Sequence, residues 1–407
     1  MKPKTTRELR RGNLTTLLRL IYFHEPINRQ ELSRRSGLSP ATVTNLVTQM
    51  VEQGLVEQAG IEQSNGGRPR EILRIRGEFG YFIGVEVAET QIHSELYDLR
   101  LNSRARVHYE ITPDTNSPEA VAECVAASIR ELEAAAAVTN AEIFAAGVGL
   151  PGIVQTVEGV SVFAPNWGWK NVPLRAMLNE RLDIQFQIDN GMRGLSLAEA
   201  LFGAGRGVKD LIVVLLGTGV AAGLITGHQL WRGASNSAGE WGHTCLDKDG
   251  PLCRCDHRGC VESYVGAPAI IRRLEEADPV SPLLQAGGQK DVVTALTAEA
   301  LQGNPVAEAI LDDVTLYLGL GIANLVNMFN PSRVVVGGWC GQVLAPYVLP
   351  QLPQVVRKYA LSEPARIVEF RVSEMDERGV SLGAACLVLE TFLAGELLSL
   401  VDSPVIG

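Results

Sequence analysis

Long hydrophobic runs are scarce in this chain of 407 residues. The longest, LIVVLLGTGVAAGLI, falls short of the roughly 20 residues that cross a bilayer and is broken by glycines, so no membrane span is expected. The first residues, MKPKTTRELRR, carry charge where a secretory signal needs an apolar segment, so export is not expected either and a cytoplasmic protein is implied. Cysteine is also sparse, with seven in all. Four of them crowd into HTCLDKDGPLCRCDHRGC, from His243 to Cys260. In a cytosolic chain, clustered thiols bind metal more often than they form disulfides. The spacing His243, Cys253-x-Cys255, Cys260 reads as metal ligation. Positive charge is short overall, with a net charge of −10, but the shortage is uneven. Residues 1–76 hold 13 Lys or Arg against 7 Asp or Glu, a balance of +6 that leaves the other 331 residues at −16. An acidic body with a basic head points to a head that meets a polyanion.

The head has the pattern of a winged helix-turn-helix over residues 1–76. Leu14, Leu17, Leu18 and Ile21 mark one face of a first helix. NRQELSRRSG opens with Asn28 and Glu31 in capping-box spacing and closes on Gly37. The next helix runs from Ser39 to Gln53, with Ser39 as N-cap and Pro40 as its first residue. Val43, Leu46, Val47 and Met50 form its apolar stripe. Ser39, Ala41, Thr42, Thr44, Asn45 and Thr48 supply short groups able to reach base edges. LVEQAGI and EILRIR alternate as strands around EQSNGGRPR, a hairpin that carries Gly67, Arg68 and Arg70. A slim glycine loop bearing arginine suits a narrow, A/T-rich minor groove.

Beyond residue 76, strands and helices alternate, so the body is expected to be α/β. YFIGVEVAETQIHSELYDL reads as strand, turn and returning strand. LIVVLLGTGVAAGLITGHQL repeats that pattern about 130 residues later, an echo of two related lobes facing a cleft. Between them lie a helix capped by Ser117 and the loop GVGLPGIV.

GLPGIV, APNWGWKNVPL, AEALFGAGRG, LLGTGVAAGLI, EWGH, CRCDHRGCVE and VVVGG together resemble the ROK family of repressors, open reading frames and kinases. The likeness runs from about residue 80 to the end, and SNGGRP in the head is similar to the family's repressor branch. It implies an actin/hexokinase-like body of two lobes. The first spans 77–190, completed by a C-terminal helix at about 385–407. The second, 191–384, holds the metal site and dimer contacts. Three thiolates and one imidazole, from His243, Cys253, Cys255 and Cys260, fit one structural, tetrahedral zinc per chain. Cys245 and His257 are alternative ligands. The resemblance also implies a sugar site of Gly152, Asn166, Asn190, Glu240, His243 and Glu262. A zinc-bound His243 would keep one N–H for a hydroxyl.

The chain departs from the kinase pattern at two points. Where a family kinase has D-x-G-G-T, this sequence has Glu86, Val87, Ala88, Glu89 and Thr90. Two Cβ atoms crowd the turn, and Glu89 repels a polyanion. The family's E-N-D-A-N falls on Asp189, Asn190, Gly191, Met192 and Arg193, so the catalytic aspartate is replaced by glycine. Arg193 offers a forked cation for a sugar phosphate, or pairs with a nearby acid such as Glu199. The reading is a non-enzymatic, sugar-responsive regulator, a repressor released from a palindromic operator by a sugar or sugar phosphate and acting as a homodimer or dimer of dimers. A sugar kinase that retains catalysis and a ligand-independent DNA-binding protein are the alternatives.

Overall fold

Helix caps set the frame of the head. In the structure, a computed structural model that describes residues 5–62, 70–112, 115–164, 167–375 and 379–397, Thr5 and Glu8 exchange bonds in a capping box at the start of α1 (Thr6–His24). A short β1 (Ile27–Asn28) leads into α2 (Arg29–Ser36). The Asn28 side chain accepts from the Glu31 amide, and Gly37 ends the helix at φ 70°. The Glu31 carboxylate is held by Arg34 and Arg35. Ser39 caps α3 (Pro40–Glu52), where Val43, Leu46, Val47 and Met50 are buried. Each such side chain stabilises by about 1.5–3 kcal/mol, against about 1 kcal/mol for a cap. Packing therefore sets the stability of the helix, and the cap sets where it begins. β2 (Val56–Glu62) and β3 (Arg70–Ile75) pair antiparallel and β1 adds to the other edge of β3. The expected wing tip, with Gly67 and Arg68, lies outside the described residues.

Two units divide the chain, Met1–Gly191 with Ala384–Gly407, and Met192–Gly383. In the first, beyond the head, β4 (Tyr81–Val87), β5 (Gln91–Asp98) and β6 (Ser103–Glu110) form an antiparallel meander. α4 (Pro118–Ala136) follows, capped by Ser117, and returns the chain to β7 (Ile143–Leu150), which lies parallel to β4. β8 (Ile153–Gln155), β9 (Val160–Ala164) and β10 (Trp169–Val172) make a separate small sheet. α5 (Leu174–Asn179) then leads to β11 (Phe186–Asn190), parallel to β7. β7 is apolar at nearly every position because a central parallel strand is covered on both faces. The head is tied to this unit: the Glu25 carboxylate accepts from the Ile75 amide at 2.8 Å and from Arg100 at 2.7 Å, and Arg11 donates to the Gly395 carbonyl at 2.6 Å.

The second unit starts within α6 (Gly191–Phe202) and repeats the same plan. β12 (Leu211–Leu216), β13 (Val220–Thr226) and β14 (Gln229–Leu230) form the meander. Then come α7 (Glu262–Val265), α8 (Ala267–Ala277), α9 (Gln289–Leu301) and α10 (Pro305–Phe329), ahead of β15 (Arg333–Gly337), which is parallel to β12. α11 (Gly338–Val348), α12 (Leu352–Tyr359) and α13 (Ser362–Ile367) precede β16 (Glu369–Val372), parallel to β15. The sheet orders, β6-β5-β4-β7-β11 and β14-β13-β12-β15-β16, correspond strand for strand, and β4 and β12 begin 130 residues apart. The internal echo in the sequence is thus a duplicated sheet. α14 (Gly379–Leu393) closes the described chain, packing Phe392 on Phe82 and Phe144 of the first unit. At 25 residues, α10 is long and apolar enough to cross a membrane. It is instead the central helix of the second unit's core, with Leu311, Val314, Leu318 and Ile322 buried among β12, α8 and α9 side chains.

Candidate functional site

The cysteine cluster is built on loops that the chain ties down tightly. Glu240 precedes a single helical turn, Trp241–His243, which is anchored by the Trp241 indole donating to the Gly321 carbonyl at 3.1 Å. Just before it, Gly239 has φ 94°, and a Cβ there would lie 2.0 Å from the Ala222 carbonyl of β13, so only glycine lets the turn approach the strand. Beyond the turn, the backbones of Cys245 and Cys260, and of Leu252 and Arg258, pair in isolated antiparallel β-bridges, and the Cys253 amide donates to the His257 carbonyl. The loop is thereby folded back on itself.

His243, Cys253, Cys255 and Cys260 come together, with their ligand atoms all within 4.8 Å of one another. Cys253 Sγ lies 3.7 Å from His243 Nδ1, and the Cys255 and Cys260 sulfurs are 3.7 Å apart. Two thiolates bound tetrahedrally at about 2.3 Å from one ion would be roughly 3.75 Å apart, so the donor set has the dimensions of a metal site. Burial pushes the Cys260 thiol up to about 12, and Cys253 is raised for the same reason. Deprotonating these adjacent thiols would therefore need a bound cation to offset the charge. Cys245 is exposed and outside the cluster, whereas His257 touches it, its Nδ1 3.5 Å from Cys255 Sγ.

Around the cluster, the expected sugar ligands of the second unit differ in accessibility. Glu240 is 40% exposed, with Arg193 at 3.7 Å. Arg193 is almost fully buried and donates to the Ala238 carbonyl, so the acid beside it is Glu240, not Glu199. Glu199 is occupied elsewhere, accepting from the Ala204 amide and from Ser373. Glu262, the first residue of α7, receives Arg254 Nε at 2.7 Å, Arg254 Nη2 at 3.1 Å and the Val220 amide at 2.9 Å. Two side chains cover the Gly217–Gly219 turn: the Trp339 indole nitrogen against Gly217 and the Arg254 guanidinium against Gly219. Sequence reasoning missed both; their only signals are a tryptophan after VVVGG and an arginine between two ligand cysteines.

In the first unit, the Asn190 side-chain amide donates to the Gly152 carbonyl at 2.7 Å, so these two expected ligands meet at the ends of β11 and β7. Asn166 lies outside the described residues. Gly191 begins α6 and has no side chain to act as a base. The loop after β4 is held by the Trp167 indole donating to the Glu89 carbonyl at 3.3 Å.

Glu86 sits on β4 directly across from His93 of β5, and burial raises its carboxyl to about 7, with His93 opposing the rise. A carboxyl raised above its unfolded value stabilises fully below about 4.5, and that contribution is lost as pH climbs through about 7. Glu86→Gln is therefore expected to raise the melting temperature at pH 8, by at most about 3 kcal/mol in stability, with the gain fading by pH 5. Thermal unfolding at the two pH values checks the sign.

On the head, Ser39, Ala41, Thr44, Asn45 and Thr48 are exposed on α3, opposite its buried stripe, and Thr42 is half-buried where it serves the cap. Arg70 is exposed at the start of β3.

A winged helix followed by two sheets of matching topology, the second beside a Cys/His cluster, defines a DNA-binding head on a sugar-kinase type of body. The chain belongs to the ROK family, which it matches over residues 82–391, and residues 13–59 match the MarR family. It is 28% identical over 390 residues to the xylose repressor of Caldicellulosiruptor bescii, covering 95% of this chain and 97% of that one. A crystal structure of a ROK family transcriptional regulator, a homolog of the E. coli MLC protein, superposes with a TM-score of 0.83 at 23% identity, over 97% of this chain and 99% of the other. A ROK family glucokinase from Streptomyces griseus, in complex with glucose and AMPPNP, gives 0.65 at 27% identity, over 76% of this chain and 99% of that one. The body thus has the actin/hexokinase-like fold of the family, with a winged helix before it.

Proposed function

We propose that this chain is a transcriptional repressor that leaves its operator when a sugar or sugar derivative binds. The observation that carries the reading is one polypeptide joining an exposed polar helix face on a winged head to a kinase-type body whose catalytic positions are altered. Gly191 offers no base, Ala88 and Glu89 stand where phosphate-approaching glycines would be, and Trp339 and Arg254 cover the remaining glycine turn. These features favour sensing over phosphoryl transfer, and 28% identity to a named repressor over 95% of this chain supports the same choice.

In this reading α3 enters the major groove through Ala41, Thr42, Thr44, Asn45 and Thr48, with Ser39 at its N-terminus. Gly67, Arg68 and Arg70 of the wing follow the minor groove. The protein acts in the cytoplasm as a homodimer or dimer of dimers, so the operator is palindromic. The effector's expected ligands are Glu240, His243 and Glu262, with Gly152, Asn166 and Asn190 as further ones that the family resemblance implies. The metal is one Zn²⁺ per chain on His243, Cys253, Cys255 and Cys260. With four protein ligands it would have no open position, so it would supply a structural tie and no hydrolysis.

The test is a selection of DNA from a random pool by the full-length protein, followed by release with xylose, glucose and their phosphates. A palindromic consensus, released by at least one of these compounds without ATP consumption, is the expected result. Steady ATP consumption with a sugar would support the kinase reading instead. A palindrome that no sugar releases would support the ligand-independent one.

A further inference from the structure

We propose that Arg10 of α1 is a phosphate contact of the operator-binding surface, held against the flank of α3 by Gln49. The proposal rests on the DNA-binding reading above and deepens it.

Charge is short where DNA needs it most. α3, the helix whose exposed side chains face base edges in this reading, is PATVTNLVTQMVE and carries no Lys or Arg; its one charge is Glu52, at the last position. Asn45 and its neighbours can read bases, but affinity for DNA comes largely from cations that neutralise phosphates and release counterions. Those cations have to come from elements beside α3. Most arginines of the described head are occupied elsewhere. Arg29 is paired with Glu71, Arg34 and Arg35 share Glu31, and Arg74 is paired with Glu57. Arg11 donates to the Gly395 carbonyl, Arg19 lies over the Phe23 ring, and Arg76 lies beside Gly54, past the end of α3. Arg10 is different. Its Nη2 donates to Gln49 Oε1 at 2.7 Å, and Gln49 belongs to α3. The partner is a neutral amide, so the guanidinium keeps its whole charge, and one bond from five N–H groups leaves four donors. Glu8, the acid nearest to it in the sequence, is turned to the amide and hydroxyl of Thr5 in the capping box.

The position of Arg10 is set by the packing of α1. It stands four residues before Leu14, on the side that Leu14, Leu17, Leu18 and Ile21 turn to the core of the head, and is exposed where the apolar stripe has run out. Gln49 stands four residues after Asn45, half-buried where Asn45 is exposed. The guanidinium therefore lies beside the base-reading surface of α3 and not on it. A helix with its side chains is about 10–12 Å wide and a major groove about 12 Å. With α3 in the groove, a group on its flank faces the groove wall, which is phosphate. The forked cation matches phosphate oxygens, and the bond to Gln49 limits the side-chain freedom lost on binding. Such a contact fixes where α3 sits without reading sequence.

The test is binding of the full-length protein to two duplexes of equal length, the selected palindrome and a random sequence, over a fourfold range of salt. Arg10→Ala should weaken both duplexes by a similar factor, and should lower the slope of log affinity against log salt by about 0.9 for each bound head. For two heads on a palindrome, the variant should lose about twelvefold less affinity than wild type across that range. Arg10→Lys, which keeps the charge, should hold the wild-type slope. A melting temperature near wild type in both variants shows that the head is folded. A wild-type slope in Arg10→Ala overturns the inference, and so does a loss confined to the palindrome, which would make Arg10 a reader of bases. In either case a palindrome that the wild type prefers leaves the DNA-binding reading standing. If the wild-type protein binds neither duplex, that reading falls and this inference with it.

Discussion

Cys260→Ser is expected to take the metal content from about one ion per chain to near zero and to lower the melting temperature of the unit that carries it, while the winged head still folds. Cys260 is fully buried, its sulfur 3.7 Å from that of Cys255 and 3.6 Å from the His243 carbonyl. Between Thr244 and Val261 there is no helix or ladder strand; isolated bridges and turn hydrogen bonds fold the loop back on itself, and a metal on the cluster would join its two ends to His243. Structural zinc sites bind with an apparent 10–16 kcal/mol or so, which becomes folding energy wherever the site forms only on folding. The head shares none of these ligands and is packed on its own stripe of Leu17, Leu18, Val43, Leu46 and Met50. Elemental analysis of protein purified without added metal, run beside two-probe thermal unfolding, gives the answer. Full zinc occupancy in the variant would remove Cys260 from the ligand set.

Asn45→Ala should weaken operator binding by about fivefold to 150-fold, equivalent to the roughly 1–3 kcal/mol of a good side-chain contact to a base edge. Its melting temperature should not change. Asn45 is exposed on α3 and no described packing depends on it, so a loss of affinity cannot be laid to unfolding. By contrast, Leu46→Ala, one position along the same helix, should lose both affinity and stability, because Leu46 is in the head's core. Mobility-shift titrations at fixed salt, paired with thermal melts, separate the two. Equal affinity for wild type and Asn45→Ala would take Asn45 out of the interface.

The head was almost fully legible in the sequence because its signals are local. Caps at Asn28 and Ser39, a glycine stop at Gly37 and a stripe at Val43, Leu46, Val47 and Met50 all act within one or two turns of chain. The duplicated sheet was legible as a faint echo, since strand-turn-strand units keep a period of two. The metal donor set was legible because thiols so close together in sequence have few other uses. What escaped was decided between distant segments. The family resemblance marks Glu262 as a sugar ligand, but its bonds to Arg254 and the Val220 amide depend on β13 arriving beside α7. The position of Arg193 against Glu240 depends on two segments 47 residues apart. The burial that raises Glu86 depends on β5 and β7 closing over both sides of β4. α10 is long and apolar enough to cross a membrane, and the packing of α8, α9 and α12 around it makes it a core helix.

Coupling between sugar binding and operator release is tested most directly by the effector's dissociation constant, measured by calorimetry with and without saturating operator. Linkage requires the two ligands to weaken each other by one common factor, typically about fivefold to 150-fold in coupled systems. A sugar that lowers operator affinity tenfold must itself bind ten times more weakly to the operator-bound protein, and that reciprocal loss is the expected result. A sugar affinity unaltered by operator would contradict a repressor released by its effector.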